Sequence, residues 1–168
     1  MVRIKRLLIH TFIPPWRWRL AFPSALLKDI ELAVKHSEGL HSGELRVAIE
    51  NALPPAWIWN NCSVRQRATE VFSNLRVWDT EDNSGILIYI QMADREVHIV
   101  ADRGIAKKVK QSEWDSIAGV MQVAFSKGDF RCGVMDGITR LTQLLATHFP
   151  PGINNPDELP NKPVIVKR

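Results

Sequence analysis

Apolar residues recur along this chain with two periods, one typical of strands and one typical of helices. Three short runs have the strand pattern: residues 44–50, 86–90 and 97–101. They are rich in β-branched residues, and Asn, Gly and Asp bound the second and third. In the first run Leu45, Val47 and Ile49 alternate with mostly polar partners, which predicts a strand buried on one face. The charged turn at residues 93–96 joins the other two runs and predicts an antiparallel hairpin.

Helical spacing governs four longer stretches. Ser24 is the expected N-cap of the first, which Gly39 ends. Ser63 and Gln66 form a capping box before a second helix that continues to about Trp78. Ser112 is the expected cap of a third helix, and a fourth spans roughly residues 134–148. We expect nine residues on these strands and helices to be buried together: Leu45, Val47, Ile49, Phe72, Leu87, Ile99, Trp114, Ile138 and Leu141.

The predicted order is therefore α-β-α-β-β-α-α. A strand, a crossover helix and a second strand form a βαβ unit. Its two strands should be parallel, and its crossover should be right-handed. The hairpin adds an antiparallel third strand. These elements predict the α/β class, with a small mixed sheet and helices packed on both of its faces.

Charge divides the chain into three regions. Six of its 22 basic residues lie within the first 28 positions, which contain no acidic residue. Residues 1–23 form a basic and aromatic arm, in which Pro14, Pro15 and Pro23 disfavour a long helix. Residues 24–150 form the α/β domain, and the proline-rich residues 151–168 predict an extended tail.

Composition excludes some classes of protein. The 168 residues suit a single domain, and 45% apolar with 24% charged residues is ordinary for a globular protein. Cys62 and Cys132 are too few for a disulfide framework and have no Cys-x-x-Cys spacing. No apolar run is long enough to span a bilayer. We therefore expect a cytoplasmic protein, which the arm could bring to the inner face of the membrane.

Acidic and amide side chains converge at one end of the predicted sheet. Asp79, Asp82 and Asn83 precede the second strand, and Asp102 follows the third, its hairpin partner. Glu44, with His41 nearby, opens the parallel first strand at the same edge. Oxygen ligands of this kind suit Ca²⁺ or Mg²⁺, although acidic residues before strands also serve as turn formers. In open α/β sheets ligands usually bind at the carboxyl ends of the parallel strands, which here lie near Glu50, Asn51, Asp94 and Arg95. The cluster around Asp82 and Asp102 nevertheless favours the opposite edge as the cation site.

Several segments resemble the TPM domain family. They are residues 43–47 and 83–88, the third strand from Arg95 to Ile99, and residues 125–130 followed by Gly137-Ile138. The resemblance covers roughly residues 24–150. It implies an α/β sandwich that binds a divalent metal, often calcium, in a family of bacterial envelope proteins and a thylakoid-lumen protein reported as an acid phosphatase. Many members have Gly-x-Gly after the third strand, where this chain has Asp102-Arg103-Gly104.

No residue pattern identifies a catalytic group. Neither cysteine opens a Cys-x₅-Arg loop, no Asp-x-Asp pair occurs, and the histidines lack metal-ligand spacing. A Gly-rich phosphate loop is also missing, so no organic cofactor is expected. The leading hypothesis is a non-catalytic module that binds a divalent cation. The alternative is a metal-dependent phosphatase for phosphomonoesters, in which a metal activates water and Arg103 neutralises charge.

The arm has three interpretations. Trp16, Arg17, Trp18 and Arg19 could bind an anionic membrane surface, with rings at the interface and cations on head groups. The same residues could contact a protein partner or, less expectedly, the phosphates of nucleic acid. In the third interpretation the aromatic residues pack back onto the domain.

Overall fold

The computed structural model describes residues 2–152 and 158–167 of the chain. It contains eight helices and four strands within these residues. In chain order they are α1 (Val2–Phe12), α2 (Trp18–Ala21), α3 (Ser24–Glu38), β1 (Leu45–Glu50), α4 (Pro55–Trp59), α5 (Val64–Asn74), β2 (Ile86–Gln91), β3 (Glu96–Ala101), α6 (Arg103–Ala106), α7 (Gln111–Ser126), α8 (Phe130–His148) and β4 (Val164–Val166).

The sheet has the strand order β3-β2-β1-β4. β1 and β2 are parallel, with Leu45 opposite Ile86, and β2 and β3 form the antiparallel hairpin. Helices cover both faces, so the predicted α/β class with a mixed sheet is confirmed. Residues of α3, α7 and α8 pack on one face, and residues of α4 and α5 pack on the other.

β1 is buried on both faces, whereas its alternating pattern predicted a half-buried strand. The reason is its central place: Val47 and Ile49 point to one core and Ala48 to the other. All nine residues expected in the core are indeed buried. Seven of them share the core under α3, α7 and α8, while Phe72 and Leu87 belong to the core under α5.

The four predicted helices are present, but the observed N-caps of two of them differ from the predicted ones. The Ser63–Gln66 capping box starts α5 as predicted. Ser24 and Ser112 lie inside α3 and α7, whose N-caps are Pro23 and Lys110. α6 is an additional short helix, capped by the Asp102 side chain.

The two terminal regions are more ordered than their compositions suggested. The arm contains the 11-residue helix α1, because its prolines come after that helix and not within it. Within the expected extended tail, Val164–Val166 form β4, parallel to β1, with Ile49 opposite Ile165. Their β-branched side chains suit a strand, and β1 offers a free edge for them. Both cysteines are free thiols.

Candidate functional site

The loop before β2 meets the end of β3 at the rim formed by the amino end of β2. The Asp102 amide donates to the carbonyl of Gly85 at 2.8 Å, and the Gly104 amide donates to the carbonyl of Asn83 at 3.0 Å. Arg103 Nε also donates to Asn83 Oδ1 at 2.9 Å. The hairpin pairing therefore brings Asn83 and Asp102 into one turn.

Asp102 has one occupied and one unoccupied oxygen. Its Oδ1 accepts from the Arg103 amide at 2.7 Å and so caps α6. Its Oδ2 is buried and accepts no hydrogen bond from the described residues, and the hydroxyl of Ser84 at the same rim is in the same situation. A buried polar group left unsatisfied costs about 1–3 kcal/mol. An oxygen of this kind suits a cation as a partner.

Gly104 brings two more oxygens to this turn. A Cβ placed on Gly104 would lie 2.5 Å from the carbonyl oxygens of both Asp82 and Asn83. Glycine is therefore required for the start of α6 to approach the loop this closely. The carbonyl oxygens of Asp82 and Asn83 thus lie against the start of α6, two residues after Asp102 in the sequence.

The remaining predicted ligands lie elsewhere or face solvent. The side chains of Asp79 and Asp82 are exposed in the loop. Glu44 is buried, and its carboxylate accepts from the backbone amides of Glu158 and Leu159, both at 3.2 Å. These hydrogen bonds attach the C-terminal segment to the domain.

His41 is fully buried beside Glu44 in sequence, and burial lowers its pKa against the opposing effect of backbone hydrogen bonds. Among the described residues, no three His, Cys, Asp or Glu side chains are grouped so as to hold a metal ion. Any cation at this rim would thus need backbone and amide oxygens as well as Asp102.

The opposite rim, at the carboxyl ends of β1 and β2, contains a buried ionic network. Arg67 of α5 donates to both carboxylate oxygens of Glu50, at 2.8 and 3.0 Å, and Tyr89 donates its hydroxyl to the same carboxylate. Burial opposes the charge on Arg67, but hydrogen bonds and charges of Glu50 and Glu70 outweigh it and raise the pKa of Arg67. Burial and then the Glu50 charge raise the pKa of Tyr89.

A second charged cluster attaches α1 to the hairpin turn. Arg6 donates to Asp94 at 2.6 Å, and His10 Nε2 lies 3.0 Å from the other carboxylate oxygen. His10 Nδ1 accepts from the Leu53 amide at 2.9 Å, so the ring proton lies on Nε2, facing Asp94. Burial acts to raise the pKa of Asp94, but His10 and Arg6 outweigh it and hold that pKa at about 2.

The sequence placed Glu50 and Asp94 at this rim but did not predict their partners Arg67, Arg6 and His10. The available signal was the spacing of Arg6 and His10, four residues apart and therefore on one face of a helix. Nothing local indicated that this face would pack on a turn 88 residues away. Arg95, expected beside Asp94 at this rim, is exposed.

The arm folds onto the domain and still leaves an apolar stripe exposed. Ile13, Ala21 and Phe22 are buried against the body. The exposed apolar stripe is Ile4, Leu8, Phe12, Trp16 and Leu20, which recur at every fourth position and are 51–76% exposed. The side chains of Lys5, Arg17 and Arg19 nearby in the sequence are exposed as well. Within the described residues, no helix combines the length and hydrophobicity needed to traverse a bilayer.

The other tryptophans divide into buried and exposed positions. Trp114 lies in the core, and the half-buried Trp57 packs under Arg67, whose guanidinium is 5.5 Å from the ring centre. Trp59 and Trp78 are exposed.

The chain is similar to a known domain family and to solved structures. A family model described as the TPM domain matches residues 22–144. The NMR structure of the BA42 protein from the psychrophilic bacterium Bizionia argentinensis is similar to this chain with 32% identity and a TM-score of 0.76, covering 86% of this chain and 95% of BA42. No curated protein sequence matches significantly.

A second solved structure shows the same fold at lower sequence similarity. It is the NMR structure of the N-terminal domain of a protein from P. gingivalis, 14% identical to this chain with a TM-score of 0.64. The match covers 83% of this chain and 94% of that domain.

Proposed function

Because the chain belongs to the TPM domain family, we propose that it is a non-catalytic binding module that takes up a divalent cation at the turn around Asp102. The observation that supports this most directly is the buried Asp102 Oδ2, which accepts no hydrogen bond from the described residues. The carbonyl oxygens of Asp82 and Asn83 approach the same turn at Gly104. Ca²⁺ favours such mixed carboxylate, amide and carbonyl oxygen ligands.

Arg103 bears on this proposal because its guanidinium donates to Asn83 Oδ1. Its side chain is exposed, so it can leave without breaking the core. Cation binding would then exchange the Arg103 contact for a metal contact at Asn83. Asp79 and the exposed Asp82 carboxylate add negative charge to the loop and favour the approach of a cation.

Melting temperature in the presence of Ca²⁺ or Mg²⁺ tests this proposal. A ligand that binds only the native state stabilises it by about 2.7 kcal/mol at a hundred times its dissociation constant. We expect millimolar Ca²⁺ to raise the melting temperature of the wild type and not that of Asp102→Asn. Glu81→Gln is the matched control, an exposed carboxylate of the same loop that is outside the proposed ligand set. Equal shifts in all three proteins, or none in the wild type, would show that this turn binds no cation.

A phosphatase is the competing function, and the same protein samples can separate the two. Turnover of para-nitrophenyl phosphate is measured with and without Ca²⁺ or Mg²⁺ for the wild type, Asp102→Asn and Asp94→Ala. Activity that disappears in Asp102→Asn alone would favour the enzyme, in which Arg103, bonded to Asn83, would neutralise the phosphate. Absence of turnover while the metal still raises the melting temperature supports the non-catalytic module.

A second function, attachment to an anionic membrane surface, follows from the exposed apolar stripe. The stripe runs from α1 through the following turn into α2, with the exposed cations Lys5, Arg17 and Arg19 near its two ends in the sequence. Apolar side chains flanked by cations are typical of segments that lie in a membrane interface. Each cation near an anionic leaflet contributes about 1 kcal/mol. The arm would then both pack on the domain and present this stripe outward.

Vesicle co-sedimentation tests the membrane function. We expect the protein to bind vesicles of phosphatidylcholine with phosphatidylglycerol, and the double variant Phe12→Ser, Trp16→Ser to lose that binding. Substitutions are preferable to deleting the arm, because Ile13 and Phe22 are part of the core. Duplex and single-stranded DNA are assayed in parallel. Retention of vesicle binding in the double variant, or binding to DNA alone, would contradict the membrane function.

A further inference from the structure

A cavity lies beyond the carboxyl ends of β1 and β4. Asn51 and Ala52, which follow β1, and Ile165, Val166 and Lys167 at the end of β4 form one side of it. Thr11, Ile13, Pro15, Trp18 and Arg19 form the other side. The cavity therefore exists only because the arm folds onto the sheet.

This position is where the strand order of the sheet reverses. From β1 the chain continues through α4 and α5 to β2 on one side, whereas β4 lies on the other side of β1 after α7 and α8. β1 and β4 are parallel, and Glu50 pairs with Val166 at their ends. Open α/β sheets bind ligands in the crevice at such a reversal point.

The cavity has the size and the walls of a small-molecule site. Its volume is about 520 Å³, within the range of about 300–1,000 Å³ usual for ligand pockets. Much of its lining is apolar: Ile13, Pro15, Trp18, Ala52 and Ile165.

The charged residues of the lining are both cationic. Arg19 and Lys167 line the cavity, and among the described lining residues none is acidic. The nearest strand-end carboxylate, Glu50, is already bonded to Arg67 and Tyr89. The described lining thus combines two cationic side chains with apolar walls.

Asn51 adds a specific polar group. Its Nδ2 donates to the Pro14 carbonyl at 2.9 Å, which fixes the orientation of the amide. Its Oδ1 is buried and receives no hydrogen bond from the described residues. Asn51 therefore has an acceptor for which the chain supplies no donor.

We propose that this cavity binds a small organic anion with an apolar body. Its carboxylate or phosphate head lies by Arg19 and Lys167, its body packs between Trp18 and Ile165, and a hydroxyl or N–H group donates to Asn51. This site is separate from the turn around Asp102, since it lies at the opposite rim of the sheet.

Fluorescence of 8-anilino-1-naphthalenesulfonate, an anion with an aromatic body, tests the site in the full chain. We expect the dye to bind and Arg19→Gln and Lys167→Gln each to raise its Kd about tenfold, because each removes a charge-assisted contact. Thr11→Trp places a ring in the cavity from an exposed position and should abolish binding. Arg17→Gln and Lys162→Gln remove neighbouring exposed cations that do not line the cavity and should leave the Kd unchanged.

Compounds that displace the dye identify the head group of the ligand, and a surface variant serves as the control. Displacement of the dye by hexanoate indicates a carboxylate ligand, and displacement by hexyl phosphate indicates a phosphate ligand. Hexanol, which has no charge, should not displace the dye. Phe12→Ser, on the exposed apolar stripe, should bind the dye normally. Dye binding that survives Thr11→Trp and both cavity cation variants, or that is lost in Phe12→Ser, would overturn the proposal.

Discussion

The buried carboxylates at the two rims of the sheet have different partners. At the carboxyl ends of β1 and β2, Glu50 and Asp94 each meet an arginine across elements. At the opposite rim Asp102 caps a four-residue helix with one oxygen and leaves the other without a described partner. The charges of the first rim form ion pairs that connect separate elements of the fold. At the second rim one oxygen of Asp102 accepts no hydrogen bond from the described residues, which is why we propose a cation there.

The largest test of this comparison is removal of Arg67. Glu50 is completely buried, so Arg67→Met leaves an uncompensated charge and should lower the free energy of unfolding by about 3–5 kcal/mol. Urea denaturation measures the loss. The exposed Arg65→Met on the same helix is the control. Adding Glu50→Gln to Arg67→Met should recover part of the stability; no recovery would mean that packing, and not charge, explains the effect.

A glycine substitution tests the close approach at the other rim. Gly104→Ala forces a Cβ to within 2.5 Å of two backbone carbonyls, and we expect a loss of about 1–3 kcal/mol. A Cβ at Gly119 within α7 meets nothing within 4 Å, so Gly119→Ala should stabilise by about 0.5–1 kcal/mol. Thermal unfolding compares them. An unchanged free energy of unfolding in Gly104→Ala would show that α6 can move away from the loop without cost.

Acid titration tests the cluster of Arg6, His10 and Asp94. The folded pKa of Asp94 is about 2, below its ordinary 3.8, so the folded state binds the proton less readily than the unfolded state. The resulting stabilisation is complete above pH 4 and disappears as the pH falls towards 2. Solvent screening limits it to about 1–2 kcal/mol.

Asp94→Asn should therefore be less stable than the wild type at pH 7 by that amount, and the two proteins should converge near pH 2. Denaturant titrations at several pH values give the difference. The exposed Asp79→Asn should follow the wild type throughout. A gap between Asp94→Asn and the wild type that persists unchanged at pH 2 would show that the ion pair is not its cause.

The smallest effect concerns the exposed acid of the loop. Asp79→Asn should change the free energy of unfolding by less than about 0.5 kcal/mol, as surface substitutions usually do. Its response to Ca²⁺ should be retained, because Asp79 is exposed and the proposed ligands centre on Asp102. Calorimetric melting with and without Ca²⁺ measures both quantities. Loss of the Ca²⁺ response in Asp79→Asn would place the cation further out in the loop.

The sequence predicted those parts of the fold that depend on neighbours along the chain. Periodicity located α3, α5, α7, α8 and the first three strands, and the hairpin register explains why Asn83 and Asp102 come together. β4 was missed because its three β-branched residues, which follow a proline-rich stretch, are too few to show a strand period. Its pairing with β1 is a contact between distant segments.

The candidate sites divide in the same way. Glu44 was predicted as a ligand from strand direction alone, whereas its hydrogen bonds to the amides of Glu158 and Leu159 join segments more than a hundred residues apart. The cavity by Asn51 and Lys167 requires the arm, β1 and β4 together. Ionic pairs and cavities between distant elements are not encoded in a local pattern.

The short fourth strand also affects how the molecule folds and opens. β4 pairs with β1 across more than a hundred residues of chain, so closing that contact is entropically slow and should follow formation of the hairpin. The strand has three residues, all half-buried. The amides of β4 should therefore exchange with solvent well before those of β2. While β4 is detached, the edge of β1 is unpaired and can accept the same strand from a second molecule.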